Sequence, residues 1–321
     1  MVMLSTSQQL LNFAISKRYL SLNPEELDEL YKTCSQYVND SGQFDGLDVL
    51  DQNSLLLLLY QVCLLTCHDI EANATMEKVT DLINDNQLIN QQSEWLIYWR
   101  SVWLETQAGK SGQLDVVFEY INNSMHKFIK DLNRKVGTTL GAAGDPGKLR
   151  SDDDLYVLKK RKASMFQSDP QKYVVKLLEL IDLRPLDYET WCELADVYLA
   201  NGELEKCHYC YLEVLLGLPS AYNIWARMGE VTLLMAKSVN GKASTKYLKN
   251  CVRYFSRSVE LCELFSRGWC GLYVTLSRLS DKGGDYTTLK QLTNDKLNHI
   301  VNAKLANHTE IANIEWILHN Y

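Results

Sequence analysis

Tryptophan stands at position 191 and again at position 225, thirty-four residues apart, and each opens the same run of side chains. Trp191, Leu194, Ala195 and Tyr198 are followed by Cys207, Tyr211, Val214 and Pro219, and after Trp225 the Leu and Ala places are taken by Met228 and Gly229. At about 100° per residue the first four side chains fall on one helical stripe, and Cys207, Tyr211 and Val214 fall on the facing stripe of a second helix. Gly202, in LANGELE, supplies the turn between them. A pair of helices this short cannot bury its apolar face alone and must stack on copies of itself, so the spacing restricts the chain to a helical array.

The array continues in both directions. Trp269 lies 44 residues beyond Trp225, one period plus ten. The excess is assigned to the polar stretch 238–246 as a loop insertion between the two helices of one repeat, with Cys251 and Phe255 resuming the second helix. One period before Pro219 stands Pro185, preceded by QKYVVKLLELIDL with Tyr173, Leu177 and Leu180 at matching places, so a weaker repeat covers 154–187. The order W-x2-L-G-x2-Y, then A-x3-F, then P is the tetratricopeptide pattern. The expected fold is an all-α tetratricopeptide-repeat (TPR) right-handed helical solenoid, whose repeat core includes Trp191, Leu194, Tyr198, Tyr211, Trp225 and Trp269. Only sixteen glycines and five prolines occur in 321 residues, a scarcity of helix breakers that agrees with it.

Four regions are expected. Residues 1–136 form an N-terminal helical region with degenerate repeats, its helices near 24–38, 51–68, 72–83, 93–105 and 113–132, with GKSG at 109–112 as a junction. Residues 137–153 collect Gly, Pro and Asp as a flexible connection. Residues 154–286 carry the repeats, and 287–321 a capping helix over 287–318.

Charge and apolarity exclude several functions. The formal charge of −7 disfavours binding to a phosphate backbone. The longest apolar run, Leu55 to Tyr60 with a brief resumption after Gln61, is far short of the roughly 20 residues that cross a bilayer. The N-terminus lacks a basic n-region and an A-x-A-like cleavage site, so a cytosolic location is expected. In that compartment the nine cysteines read as free thiols, and the sequons at Asn39, Asn73, Asn122 and Asn307 as chance matches.

Candidate chemistry is thin. GAAGDPGKL comes near a phosphate-binding loop, but five residues separate Gly141 from Gly147 and Leu149 follows Lys148 where Ser or Thr would hold magnesium. Cys207, His208 and Cys210 lack a second Cys/His pair at metal-binding spacing, and Cys207 fills a small-residue position of the repeat. The six histidines stand in no catalytic spacing. No catalytic residue, cofactor or metal site is therefore assigned. KKRK at 159–162 reads first as a solvated face, with a partner's acidic segment as its target if it binds.

Helix geometry offers a binding surface instead. With the Trp191 stripe turned inward, Glu189, Glu193 and Asp196 point toward the inner groove, and in the next repeat Asn223, Arg227 and Glu230 take the corresponding places. The wall is rich in carboxylates. Groove acids repel the C-terminal carboxylates that chaperone-binding repeat domains clamp, which makes a co-adaptor for chaperones or protein degradation the alternative reading.

The segments WCELADVYLANGELEKCHYCYLEVLLGLP, RYFSRSVEL and GWCGLYVTLSRL, with KKRKA before the first clear repeat, resemble the tetratricopeptide subunit family of the endoplasmic reticulum membrane protein complex. The resemblance spans residues 154 to 280. It implies a non-catalytic cytosolic scaffold, peripheral to the membrane through protein contacts, that cradles cytosolic segments of membrane-embedded subunits. It also implies support for insertion of tail-anchored and multi-pass proteins; that no nucleic acid is a partner is expected from the net charge.

Overall fold

Fifteen α-helices, a 3-10 turn at Arg18–Ser21 and no strand make up the residues described by the computed structural model, which are 5–40, 44, 46–85, 91–111, 114–140 and 155–321. Of the connection expected at 137–153, residues 137–140 continue a helix, and the rest, with the GAAGDPGKL motif, lies outside the described residues. Contacts divide the chain into two compact units, Met1–Met165 and Phe166–Tyr321.

The first unit holds α1 (Thr6–Ser16), α2 (Pro24–Asn39), α3 (Val49–Leu65), α4 (Asp69–Asp85), α5 (Gln91–Ser111), α6 (Leu114–Leu140) and α7 (Tyr156–Ser164). Local chemistry sets the helix starts. Asn23 accepts from the Glu26 amide at 2.8 Å while Glu26 accepts from the Asn23 amide at 3.1 Å, and Pro24 occupies the first helical position. Helix α3 is apolar on every side because it is the centre of the unit: Leu55, Leu56, Leu58, Leu59, Tyr60, Val62 and Cys63 are all buried, with α1, α2 and α4 packed around them. The Tyr60 hydroxyl donates to the Trp99 carbonyl at 2.7 Å and ties α3 to α5. A second cluster joins Val117, Ile121 and Met125 of α6 to Leu158 of α7.

The basic run on α7 is not a solvated face at Arg161. That side chain is 8% exposed; its Nε donates to Ser101 Oγ at 3.0 Å, one Nη to the Ser101 carbonyl at 3.3 Å, and it pairs with Glu105. A buried guanidinium is tolerated only with such a complete set of acceptors. Helix α7, placed by the sequence in the repeat region from 154, thus packs with the first unit.

The second unit contains α8 (Pro170–Leu183), α9 (Tyr188–Ala200), α10 (Leu204–Gly217), α11 (Tyr222–Ser238), α12 (Gly241–Leu261), α13 (Ser266–Ser280), α14 (Thr287–Asn302) and α15 (His308–Asn320). Each packs on the next, and α11 also touches α13, so first helices of successive repeats are neighbours. Gly202, at φ 76°, makes the α9–α10 turn as the spacing requires. Phe255 of α12 is fully buried between two glycines, Gly229 of α11 and Gly271 of α13, which lets three helices approach around one ring.

Three expectations are corrected. The stretch 238–246 is not a loop: α11 runs to Ser238, only Val239 and Asn240 interrupt, and α12 begins at Gly241. Its single Gly and lack of Pro let the helices lengthen, and Ala236, Leu248 and Leu279 form a small core under the extension, closed by Ser244 Oγ donating to the Ala236 carbonyl at 2.9 Å. The capping segment is two helices, because Lys304 turns left-handed at φ 51° and Asn307 with Glu310 starts a fresh helix in a capping box. Within the repeat core, Leu194, Tyr198, Tyr211 and Trp269 are buried, but Trp191 and Trp225 are only half-buried.

Candidate functional site

The tryptophans set the register of the groove. Each indole N–H donates to the carbonyl six residues earlier: Trp191 to Pro185 at 2.9 Å, Trp225 to Pro219 at 2.9 Å, and Trp269 to Glu263 at 2.7 Å. This bond explains why a residue so large is useful at a half-buried helix start. Its ring covers the end of the preceding repeat while its one polar atom is satisfied. It also places Glu263 at the position held by proline in the earlier repeats.

From that register the predicted groove residues lie on the first helices α9 and α11, and α13 adds one more. Glu189 is exposed, and Glu193 accepts from the Tyr173 hydroxyl at 2.9 Å. Asp196 accepts from the Tyr211 hydroxyl at 2.7 Å and faces an Arg227 guanidinium nitrogen at 3.7 Å. Glu230 accepts from both Nε and Nη2 of Arg267, a bidentate contact along one guanidinium edge, the Nη2 to Oε2 arm at 2.6 Å. Asn223 is exposed and borders this line. The carboxylates are therefore rungs of a ladder that runs from α9 through α11 to α13.

Electrostatics within the ladder follow from these contacts. Its hydrogen bonds to Glu230 raise the Arg267 pKa above its usual value, against the opposing effect of burial. Burial, reinforced by the Asp196 carboxylate, drives the Tyr211 hydroxyl well above the ordinary phenol range, so it stays a donor. Cys192, on α9 among the acids, is pushed up to about 11 by burial, which keeps it a thiol. Such a wall can select charge pattern along a bound segment.

Three ladder members were missed by sequence reasoning. Tyr173 and Tyr211 were read only as packing residues, although their hydroxyls reach the acids. Arg267 had a usable signal: it precedes Trp269 by two, the place that Glu189 and Asn223 hold before Trp191 and Trp225.

The other singled-out residues are packed. Cys207 and Cys210 are buried thiols pushed up to about 12, and burial lowers the pKa of His208, whose ring lies 3.5 Å from the Tyr254 hydroxyl. Among the described residues no group of three or more His, Cys, Asp or Glu could hold a metal ion, and no helix is long and apolar enough to cross a membrane.

No family model matches the chain. ER membrane protein complex subunit 2 of Saccharomyces cerevisiae is 24% identical over 264 residues, which cover 82% of this chain and 81% of the relative. TPR repeat protein oca3 of Schizosaccharomyces pombe is 32% identical over 127 residues, 39% of this chain and 43% of the relative. The solved C-terminal part of a TPR repeat-containing protein from Cytophaga hutchinsonii is similar at a TM-score of 0.47, with 12% identity over 90% of this chain and 98% of that one. A match of 264 residues is longer than the segment 154–280 on which the sequence resemblance rested, so it reaches into the N-terminal region as well. The chain is an all-α tetratricopeptide-repeat protein that resembles ER membrane protein complex subunit 2 along most of its length.

Proposed function

We propose that this chain is a non-catalytic scaffold subunit of an endoplasmic reticulum membrane protein complex. It sits at the cytoplasmic face of that membrane, peripheral to it through protein contacts, and binds cytosolic segments of membrane-embedded subunits, supporting insertion of tail-anchored and multi-pass proteins. The observation that carries this reading is the breadth of the match, 82% of the chain against 81% of a relative that bears the complex's name.

The ladder on α9, α11 and α13 is the binding wall in this reading. Glu189, Glu193, Asp196 and Glu230 outnumber Arg227 and Arg267, so a basic or amphipathic segment fits it. Exposed ion pairs contribute about 0.2–1 kcal/mol each, so a partner's cation can replace an internal one at little cost, and the wall chooses its partner more than it adds affinity.

Purification of the tagged chain from detergent-solubilised membranes tests the assignment. Multi-pass membrane subunits should co-purify; recovery of soluble chaperones in their place would favour the co-adaptor reading. Exchanging one rung, Glu230→Arg with Arg267→Glu, keeps a pair and so the fold, yet reverses the local charge pattern. Partner recovery should drop at low salt, and unchanged recovery at every salt concentration would move the binding surface elsewhere.

A further inference from the structure

Helices α4, α5 and α6 leave a groove between them in the first unit, with a cavity of about 280 Å³. Its floor is apolar, formed by Met76, Leu96 and Phe128. Two cations stand at its edge, Arg100 on α5 and Lys127 on α6, both exposed. Among the described residues neither has an ion-pair partner. The lining of the groove thus carries two exposed cations and no carboxylate, on a chain of net charge −7.

We propose that this groove docks an acidic amphipathic segment of a partner protein, with apolar side chains seated between the three helices and carboxylates on Arg100 and Lys127. The charge is complementary to such a segment, and the cavity is the size of a few side chains. A polyanionic surface fits less well. Anionic membranes and nucleic acids are held by runs of several cations, and two cations on a chain of net negative charge do not supply such a field. The site is distinct from the ladder of the second unit and selects the opposite charge.

Two synthetic helical peptides test it on the full chain. Both carry Leu and Phe at positions i, i+3, i+4 and i+7; one has Glu on both flanks and the other Lys. Fluorescence anisotropy at about 0.1 M salt should show the Glu peptide binding at least tenfold more tightly, with the gap closing as salt rises. Arg100→Glu with Lys127→Glu should reverse the order of the two peptides. Ser124→Trp, which fills the trough, should weaken the Glu peptide without changing the cations, and Glu230→Arg in the second unit should leave its binding as it was. Circular dichroism of each variant guards against unfolding. Equal affinity for the two peptides, or an order the double variant does not change, overturns the proposal. So does binding of phosphatidylserine vesicles through the same two cations with neither peptide bound.

Discussion

Phe255 offers the sharpest test of how the repeats are held together. Its ring is fully buried, with Gly229 on one side and Gly271 on the other. Truncation to alanine should cost about 3–5 kcal/mol, since the helices around it have little to collapse with. The sign of a second change is more telling. A Cβ at Gly229 would lie 2.7 Å from the tip of the Phe255 ring, so Gly229→Ala in the natural chain sets an overpacking strain of about 1–3 kcal/mol against a helix-propensity gain of about 1 kcal/mol. Once the ring is gone the strain is gone, and the same alanine should stabilise by about 1 kcal/mol. The double-mutant cycle should thus return a coupling of about 1–3 kcal/mol. Urea unfolding followed by circular dichroism measures the four stabilities, and hydrogen exchange at α11–α13 amides assigns the change to these helices. If Gly229→Ala has the same effect with and without the ring, Phe255 does not pack on Gly229 and the placement of α12 against α11 is wrong.

Other predictions follow from single contacts. Arg161→Met should lower stability by roughly 2–4 kcal/mol, because Glu105 and the Ser101 carbonyl lose their buried donor, and the shift of the urea midpoint measures the loss. Cys67 and Cys262 should react first with iodoacetamide in the folded chain, ahead of Cys34, Cys63, Cys207, Cys210, Cys251 and Cys270, which burial pushes up to about 12, and of Cys192 at about 11; peptide mapping after brief labelling gives the order. The same thiols predict a pH dependence: their folded pKa values are raised, so their contribution to stability is complete below the unfolded value of about 8.5 and is lost as pH rises toward 12, and urea midpoints should fall across that window. Alkaline carbonate should release the chain from endoplasmic reticulum membranes, and Asn39, Asn73, Asn122 and Asn307 should carry no glycan; pelleting with integral proteins would contradict the peripheral assignment.

Much of the fold was legible because the repeat writes its register in large side chains. Trp191 and Trp225 at a spacing of 34 fixed helix pairs that the structure contains, and Gly202 fixed the turn between the first of them. What escaped depended on contacts distant in sequence or on competing local rules. Residues 238–246 look like a loop by polarity alone, yet polar residues extend a helix readily when no proline intervenes and Ser244 and Leu248 find a small core. Arg161 sits in a run of four cations that composition assigns to solvent. Only the placement of Ser101 and Glu105, some sixty residues earlier, makes burial possible.

A surface read from helix faces names its residues but not their partners. Facing direction follows from 3.6 residues per turn, so Glu189, Glu193 and Asp196 share one face of α9. Partnership does not follow from it, because the groups that reach the ladder's acids come from the second helices, as Tyr173 to Glu193 and Tyr211 to Asp196, or from the next first helix, as Arg227 to Asp196 and Arg267 to Glu230. The consequence is that the two ends of the wall differ in kind. Asp196 accepts from the hydroxyl of Tyr211, whose side chain is 1% exposed, so Asp196→Lys would strand a buried donor and cost about 1–3 kcal/mol of fold before any partner is considered. Glu230 and Arg267 satisfy mainly each other at a half-exposed site, so exchanging them conserves the pair. A loss of binding after changes at Asp196 would therefore confound fold with recognition, whereas a loss after the Glu230 and Arg267 exchange reports recognition alone.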